Sequence, residues 1–159
     1  MLREHQYQVE LEWQGDLGEG TSNYRAYRRQ HAVRAANKLH EIAGSSDRTF
    51  HGDAERWNPE ELLLAAVSQC HMLSYLHVAT QHGVIVRGYT DSPVATIRED
   101  GQGGGSFVEA TLRPIVTVAD DSMHAAAQTI HAEAAAKCFI AESVAFPVHH
   151  DPVVQTVSV

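Results

Sequence analysis

The two cysteines of the chain, Cys70 and Cys138, are its most reactive side chains, and both lie in segments of small and apolar residues. Glycine and proline are absent from residues 60–81 and 122–145. Both segments are therefore predicted to be helices, and two buried helices can bring the thiols together in one core. In a reducing compartment, such a pair is more typical of catalysis, redox sensing or metal binding than of a structural disulfide. The alternative is that both cysteines are small core residues.

Cysteine catalysis needs a thiolate, which a buried thiol forms only when a cation or a hydrogen-bond donor stabilises it. Near Cys70 in sequence, the available polar groups are those of His71, Ser74 and His77. An arginine from another segment is the simplest activator. The candidates are Arg25, Arg28, Arg48 and Arg56.

Glu60 precedes Cys70 by ten residues on the same predicted helix. Ten residues rise about 15 Å, so the two side chains cannot meet within one straight helix. If two copies pack this helix antiparallel across a two-fold axis, Glu60 of one copy lies near Cys70 of the other. A joint Glu60–Cys70 site therefore predicts a homodimer. The alternative for Glu60 is an ordinary first-turn glutamate that the helix dipole stabilises.

A zinc site is a third possibility for the cysteines. His77 follows Cys70 by seven residues, and His131 precedes Cys138 by seven, so each pair shares a helix face. Two facing pairs would form a Cys₂His₂ set. However, residues seven apart are about 10.5 Å apart along the axis, too far for one zinc unless side chains reach inward from both ends. Most of the other histidines are interpreted as surface residues.

Length and charge narrow the class of protein. The 159 residues suit a single domain over 1–159, since two domains of half that size would each be marginal. The formal net charge of −8 argues against nucleic-acid binding. The amino terminus has no signal-peptide pattern, and polar residues interrupt the longest apolar region, residues 62–79. We expect a soluble, cytoplasmic protein with no membrane partner.

The remaining pattern predicts the elements that position these residues. Asn58 as cap, Pro59 in the first turn and two glutamates after it predict a helix that continues to about Gln81. A second helix is predicted from residues 120–122 to beyond Cys138. Residues 7–13 are predicted to form a strand with one buried face, and residues 24–33 one bent or two short strands. Further strands are predicted at 84–99, 107–118 and 144–157, with a long ordered loop that can carry a short strand at 37–57. The glycine-rich connection at 100–106 suits a hairpin, which predicts an α+β fold with a largely antiparallel sheet.

Residues 57–72, WNPEELLLAAVSQCHM, resemble the Asn-Pro-Glu…Cys signature of the OsmC/Ohr family of osmotically inducible and organic-hydroperoxide-resistance proteins. Residues 132–143, AEAAAKCFIAES, resemble its second cysteine helix. The order of strands, helix, hairpin, helix and strand is also that family's order. Phe139 stands where the family commonly has a proline after the second cysteine, which indicates a divergent OsmC-like branch.

The resemblance implies an OsmC-like fold with two long central cysteine-bearing helices, assembled as an intertwined homodimer without metal or organic cofactor. It implies a thiol peroxidase in which Cys70 is the peroxidatic cysteine and Cys138 the resolving one. A small hydroperoxide would be the substrate and an external dithiol the reductant. Glu60 matches the glutamate that holds the activating arginine, which is one of Arg25, Arg28 and Arg48. The alternative function is a binding module for a small apolar ligand on the same scaffold.

Overall fold

The computed structural model describes residues 3–157. They form two compact units, one ending at Leu62 and the other beginning at Leu63, and each is described by itself. The prediction of a single domain over 1–159 stays a prediction, and its first and last two residues lie outside the described residues.

The amino-terminal unit is built on a three-stranded antiparallel sheet. Its strands are β1 (Glu10–Trp13), β2 (His31–Arg34) and β3 (Ile42–Gly44), in that order across the sheet. A 3₁₀ turn, Arg48–Phe50, follows β3 within the predicted ordered loop. The prediction of a buried face on the first strand is wrong for this unit, since all four residues of β1 are exposed. Leu11, at 71% exposure, has an apolar side chain that nothing in the unit covers.

The predicted strand over residues 24–33 is shorter than expected. Only its last residues belong to β2, because the Arg29 side chain hydrogen-bonds to the backbone before β2. The Arg29 guanidinium donates to the carbonyls of Tyr24 and Tyr27, at 2.6 and 2.7 Å. It also lies over both tyrosine rings, 4.3 and 4.4 Å from their centroids. A carbonyl that accepts from a guanidinium and faces this cluster is not free to extend a strand ladder.

Helix α1 (Pro59–Gln81) begins and ends where the sequence predicts. The Asn58 side chain accepts from the Glu61 amide at 2.8 Å, and the Glu61 carboxylate accepts from the Asn58 amide at 3.2 Å. This reciprocal capping box satisfies two amides at the helix start. At the other end, Gly83 has φ +67°, which glycine adopts without strain and which turns the chain out of the helix.

Two three-stranded sheets form the carboxy-terminal unit. The first contains β4 (Val86–Asp91), β7 (Pro114–Val118) and β9 (Val153–Thr156), and the second contains β5 (Val94–Glu99), β6 (Gly105–Leu112) and β8 (Val148–His150). Strands β4 and β7 pair antiparallel, as do β5 and β6, whereas β8 and β9 pair parallel with β6 and β7. The α+β class with antiparallel-rich sheets is therefore confirmed.

Each of the three long strands predicted in this unit is divided in two at a proline. The breaks fall at Pro93, at Pro114 and at Pro152. Proline has no amide hydrogen for a strand ladder and fixes φ, so it is tolerated at the start of a strand or between strands. Pro114 is the first residue of β7. The two halves of each predicted strand consequently join different sheets.

The hydrophobic core of this unit lies between α1, helix α2 (His124–Ala136) and the first sheet. Its buried members come from both helices and from β7 and β9; they include Tyr75, Val78, Val116, Val118, Ala127, Ile130 and Val154. Tyr75 keeps its hydroxyl satisfied inside this core by donating to the Ala127 carbonyl at 3.0 Å. The same contact fixes α1 against α2.

The prediction that the second helix extends past Cys138 is wrong. Helix α2 ends at Ala136 after 13 residues, so only one helix carries a cysteine. The Lys137 and Cys138 amides bond to the carbonyls of Ala134 and Ala135, three residues back, and this tightening ends the helix. Alanine favours a helix but buries little surface. The helix propensity of the alanines is therefore too weak to keep the last turn helical when Cys138 packs into the core.

Helix α1 is also long and apolar enough to cross a membrane, contrary to the expectation that no segment approaches a span. The residues that interrupt its apolar run are uncharged serines, histidines and a glutamine, which lower its hydropathy only modestly. A core helix of a globular domain shares this length and composition, so the property by itself is weak evidence for a span.

Candidate functional site

The structure brings the two cysteines together inside the carboxy-terminal unit. Cys70 is half-buried in the middle of α1, and Cys138 is fully buried two residues beyond the end of α2. Cys70 lies close enough to Cys138 for its side chain to raise the pKa of the Cys138 thiol. The Cys138 sulfur also faces the Val67 carbonyl at 4.0 Å. Both are free thiols in the structure.

The surroundings of Cys138 hold it in the protonated form. Burial, followed by the neighbouring Cys70 side chain, raises the pKa of Cys138 to about 11. The backbone amides of Ala141 and Ile140 act in the opposite direction, because they offer hydrogen bonds to the thiolate. At neutral pH Cys138 therefore carries its proton, while the nearby amides are placed to stabilise negative charge on its sulfur.

Two further polar groups lie near the thiols. The Tyr89 hydroxyl is buried with no hydrogen-bond partner among residues 3–157. Its pKa is raised, first by burial and then by the charges of Asp91 and other neighbours, including Cys138. Asp91 accepts from the Ser68 hydroxyl on α1 at 2.6 Å and from the Arg113 amide at 2.7 Å. These bonds tie α1 to the strand end that carries Asp91.

Three histidines, which the sequence analysis did not single out as a group, form a buried cluster in the same unit. His71 Nε2 lies 3.1 Å from His131 Nδ1, and the His150 ring centroid is 4.3 Å from that of His71. The pKa of His71 is lowered to about 3 and that of His131 to about 4, in both cases first by burial and then by neighbouring histidine charge. Both are neutral at neutral pH.

The sequence indicates this cluster through the spacing of the histidines from core residues on the same helix. His71 stands four residues after Val67 and four before Tyr75, both of which are fully buried. His131 stands four residues after Ala127 on the buried face of α2. Side chains spaced this way share one helix face, so a histidine between two core residues is itself a core candidate.

The zinc alternative receives no geometric support. His131 contacts His71 rather than Cys138, and the His77 ring faces Gln81 on the surface. In the part of the chain that the structure describes, no group of three or more histidine, cysteine, aspartate or glutamate side chains is arranged to hold a metal ion.

Glu60 lies in the first turn of α1, as predicted. Its Oε2 atom is buried and has no hydrogen-bond partner among the described residues. A buried carboxylate oxygen without a donor is costly, so this group is suited to accept a hydrogen bond from a cation. Helix α1 is unbroken between positions 60 and 70, so the spacing argument for a site shared by two copies still applies.

The three candidate arginines all belong to the amino-terminal unit and are all exposed. Arg28 and Arg48 line one cavity of about 370 Å³, whereas Arg25 is not among its lining residues. Arg56, the fourth cation considered from sequence, lies 3.7 Å from Asp53.

Comparison with known proteins places this architecture in a family. The family model described as OsmC-like protein matches residues 52–152. No curated protein sequence matches the chain. The chain belongs to the OsmC-like protein family, as its sequence motifs indicated.

Solved structures agree with this assignment. An OsmC-like protein of unknown function from Vibrio cholerae is 26% identical, with a TM-score of 0.84 over 94% of this chain and 100% of its own. An organic hydroperoxide resistance protein from Legionella pneumophila is 16% identical, with a TM-score of 0.67 over 96% of this chain and 99% of its own. A further organic hydroperoxide resistance protein, from Elizabethkingia anophelis, is 16% identical, with a TM-score of 0.65 over 98% of this chain and 100% of its own. At 16% identity the likeness shows the shared fold.

Proposed function

We propose that this protein is a thiol-dependent peroxidase that reduces organic hydroperoxides through Cys70 and Cys138. The observation that carries the proposal is the proximity of the two cysteines, with Cys138 buried and protonated and Cys70 half-buried near it. Membership of a family whose structural neighbours include hydroperoxide resistance proteins supports the same chemistry. The accessible thiol is the peroxidatic cysteine and the buried thiol is the resolving one.

The reaction has three steps. The Cys70 thiolate attacks the outer peroxide oxygen; the O–O bond breaks, and the alkoxide takes up a proton and leaves as an alcohol. Cys70 is thereby oxidised to a sulfenic acid. The Cys138 thiol then condenses with it, which forms the disulfide and releases water. An external dithiol reduces the disulfide by exchange and is itself oxidised to a disulfide.

A homodimer is part of the proposal. Leu73 on α1 is 60% exposed, and only 28% of the most apolar 18-residue window of this helix is buried within the chain. A second copy is the simplest cover for such a face, and it brings Glu60 of one α1 toward Cys70 of the other. Glu60 would then hold one of Arg25, Arg28 and Arg48 beside the Cys70 thiolate. Its unpartnered buried oxygen supports this role.

The test is hydroperoxide consumption with cumene hydroperoxide as oxidant and dithiothreitol as reductant. Cys70→Ser should reduce the rate to that of dithiothreitol alone. In the absence of dithiothreitol, Cys138→Ser should consume about one equivalent of hydroperoxide per subunit and then stop, with a sulfenic acid on Cys70 that dimedone traps for mass spectrometry.

Ser74→Ala is the matched control, because Ser74 lies one turn further along α1 and donates only to the Lys137 carbonyl, at 3.2 Å. It should retain the parent rate within about twofold, since loss of one exposed hydrogen bond costs little. Steady turnover by both cysteine variants would show instead that Cys70 and Cys138 are core residues.

The alternative function, binding of a small apolar ligand without turnover, is favoured by one observation. A cavity of about 570 Å³ in the carboxy-terminal unit is lined mainly by aliphatic side chains, among them Leu76, Val84 and Ile85. Cavities of this volume accept small organic molecules. If the parent protein is inactive with every hydroperoxide, binding of decanol that Leu76→Asp abolishes would support this function.

A further inference from the structure

The hydroxyl group of Tyr89 is a buried polar group that the three steps of the proposed reaction leave unused. It is shielded from solvent and makes no hydrogen bond with any of residues 3–157. A buried hydroxyl without a partner is costly, and most such groups in folded proteins are paired. The cost is explained if the partner is present only in another state of the protein.

The Tyr89 ring packs against helix α1 in the core of the carboxy-terminal unit. Its centroid is 5.8 Å from that of Tyr75. Asp91, two residues further along β4 and therefore on the same face of the strand, accepts from the Ser68 hydroxyl at 2.6 Å. Between these two contacts, α1 contains Cys70. This face of β4 therefore lies along the part of α1 that carries the peroxidatic cysteine of the proposal.

The Cys138 sulfur lies against the same part of α1, where it faces the Val67 carbonyl at 4.0 Å. Burial raises the pKa of Tyr89, and the charges of Asp91, Tyr75 and Cys138 add to this effect in that order. Tyr89 is thus close enough to Cys138 for a thiolate there to oppose loss of the tyrosine proton. At neutral pH the hydroxyl remains protonated and is a hydrogen-bond donor.

Asp91 does not provide the missing partner. Its carboxylate accepts from the Ser68 hydroxyl and from the Arg113 amide, at 2.6 and 2.7 Å, and not from Tyr89. The remaining neighbour that can become an anion during the proposed reaction is Cys138. Its thiol is a weak acceptor in the reduced protein, but its sulfur becomes a strong one as it loses its proton.

We propose that the Tyr89 hydroxyl donates a hydrogen bond to the Cys138 sulfur while that sulfur attacks the sulfenic acid on Cys70. The inference rests on the proposed peroxidase function and adds Tyr89 to it as a catalytic residue. An electron pair of the Cys138 sulfur forms the S–S bond, and the S–O bond of the sulfenic acid breaks. The Cys138 proton leaves with the hydroxyl group as water, and Tyr89 keeps its own proton.

The unpaired state of the hydroxyl in the reduced protein is what makes this contribution catalytic. An interaction that is absent in the ground state and forms as charge develops lowers the barrier by its full strength. The Ile140 and Ala141 amides act on the same sulfur, so Tyr89 is a third donor to it. The first step, oxidation of Cys70, does not involve this hydrogen bond.

The test is a single turnover without dithiothreitol, started by one equivalent of cumene hydroperoxide and compared between the parent protein and Tyr89→Phe. Samples are quenched at successive times with dimedone and N-ethylmaleimide, and mass spectrometry measures the sulfenic acid and the Cys70–Cys138 disulfide. Tyr89→Phe should form the sulfenic acid within about twofold of the parent rate. It should form the disulfide about tenfold more slowly, because one charge-assisted hydrogen bond is lost from the transition state.

Tyr75→Phe is the matched control, because it removes a buried tyrosine hydroxyl that already has a partner, the Ala127 carbonyl at 3.0 Å. It should lower the midpoint of urea unfolding and leave disulfide formation within about twofold of the parent rate. Tyr89→Phe should keep or raise that midpoint, because it removes an unpaired buried group. Equal slowing by Tyr75→Phe, or disulfide formation by Tyr89→Phe at the parent rate, would overturn the inference.

A second measurement does not depend on turnover. In Cys70→Ser protein, the ¹³C resonance of the Cys138 Cβ atom reports ionisation of its thiol as the pH is raised. Adding Tyr89→Phe should move the midpoint of this titration upward by about one pH unit, which corresponds to the tenfold effect above. An unchanged midpoint would overturn the inference whether or not the parent is a peroxidase. A raised midpoint in a parent that consumes no hydroperoxide would support the hydrogen bond and contradict the proposed function alone.

Discussion

The buried pair His71 and His131 predicts a steep loss of stability in mild acid. His71 is 0% exposed and His131 only 4% exposed, and their nearest ring nitrogens are 3.1 Å apart. The pKa of His71 is lowered to about 3 and that of His131 to about 4, mainly by burial. In the unfolded chain both return to about 6.5. Between these limits the unfolded chain binds more protons than the folded chain, so stability is present above pH 6.5 and is lost as the pH falls below it.

The magnitude between pH 7 and pH 5 depends almost entirely on the unfolded chain. Lowering the pH from 7 to 5 stabilises an unfolded histidine of pKa about 6.5 by about 1.9 kcal/mol, because it binds a proton. A folded histidine of pKa 4 or below binds almost no proton over this interval, so its free energy hardly changes. The pair should therefore lower the free energy of unfolding by about 4 kcal/mol. That is a large share of the 5–15 kcal/mol typical of a folded protein.

The other titratable groups with shifted pKa values do not cancel this effect. The pKa of His150 is also lowered, mainly by burial, so it acts in the same direction, although the charge of Asp91 opposes the shift. The carboxylates whose pKa values are lowered by hydrogen bonds, such as Asp16 and Asp47, lose their contribution only at lower pH.

The assay is urea unfolding of reduced protein at pH 7, 6 and 5 at one fixed protomer concentration, which matters if the protein is a dimer. His71→Gln should reduce the pH dependence by about half, since one titrating group is removed. His77→Gln is the control, because His77 is exposed on the same helix. A change below about 1 kcal/mol between pH 7 and pH 5, or an equal effect of His77→Gln, would refute the reasoning.

Three further predictions follow from other contacts. Treatment with one equivalent of hydroperoxide should yield a Cys70–Cys138 disulfide within one subunit, found by mass spectrometry of non-reduced peptides; a Cys70–Cys70 link alone would contradict the two-cysteine mechanism. Asn58→Ala should lower the free energy of unfolding by about 1 kcal/mol, because it removes the cap of the Glu61 amide, and denaturant melts that match the parent would contradict this. Mixing Glu60→Ala and Cys70→Ser chains under conditions that re-form dimers should restore about one active site per heterodimer. If light scattering shows that the parent protein is a stable monomer and this monomer has normal activity, the shared site is excluded.

The parts of the fold that were predictable from sequence are those fixed by local interactions. The start of α1 follows from Asn58, Pro59 and Glu61, whose contacts span three residues, and its end follows from Gly83. Prolines also mark the positions where the strands divide, although the sequence predicts one continuous strand around each of these prolines. Local chemistry of this kind needs no knowledge of the tertiary structure.

The parts that were not predictable depend on distant residues. His71 and His131 are 60 positions apart in sequence, and neither was identified as part of a buried cluster, because only the packing of α1 on α2 brings them together. The activating arginine is unassigned for a related reason. Arg25 and Arg28 lie in an irregular segment and Arg48 lies in a single 3₁₀ turn, where spacing along the chain does not indicate the direction of a side chain.

The early end of α2, which differs from the helix predicted from the sequence, determines the surroundings of the Cys138 thiol. In a helix continued through Cys138, the Ile140 and Ala141 amides would donate to the carbonyls of Ala136 and Lys137, four residues back. Because α2 ends at Ala136, both amides instead face the Cys138 sulfur and lower its pKa, against the larger effects of burial and Cys70. Cys138 thus keeps its proton at neutral pH, yet has two nearby amides that would stabilise its thiolate when the proposed disulfide is cleaved. These properties suit the resolving role proposed for Cys138, and they arise from the backbone rather than from a motif.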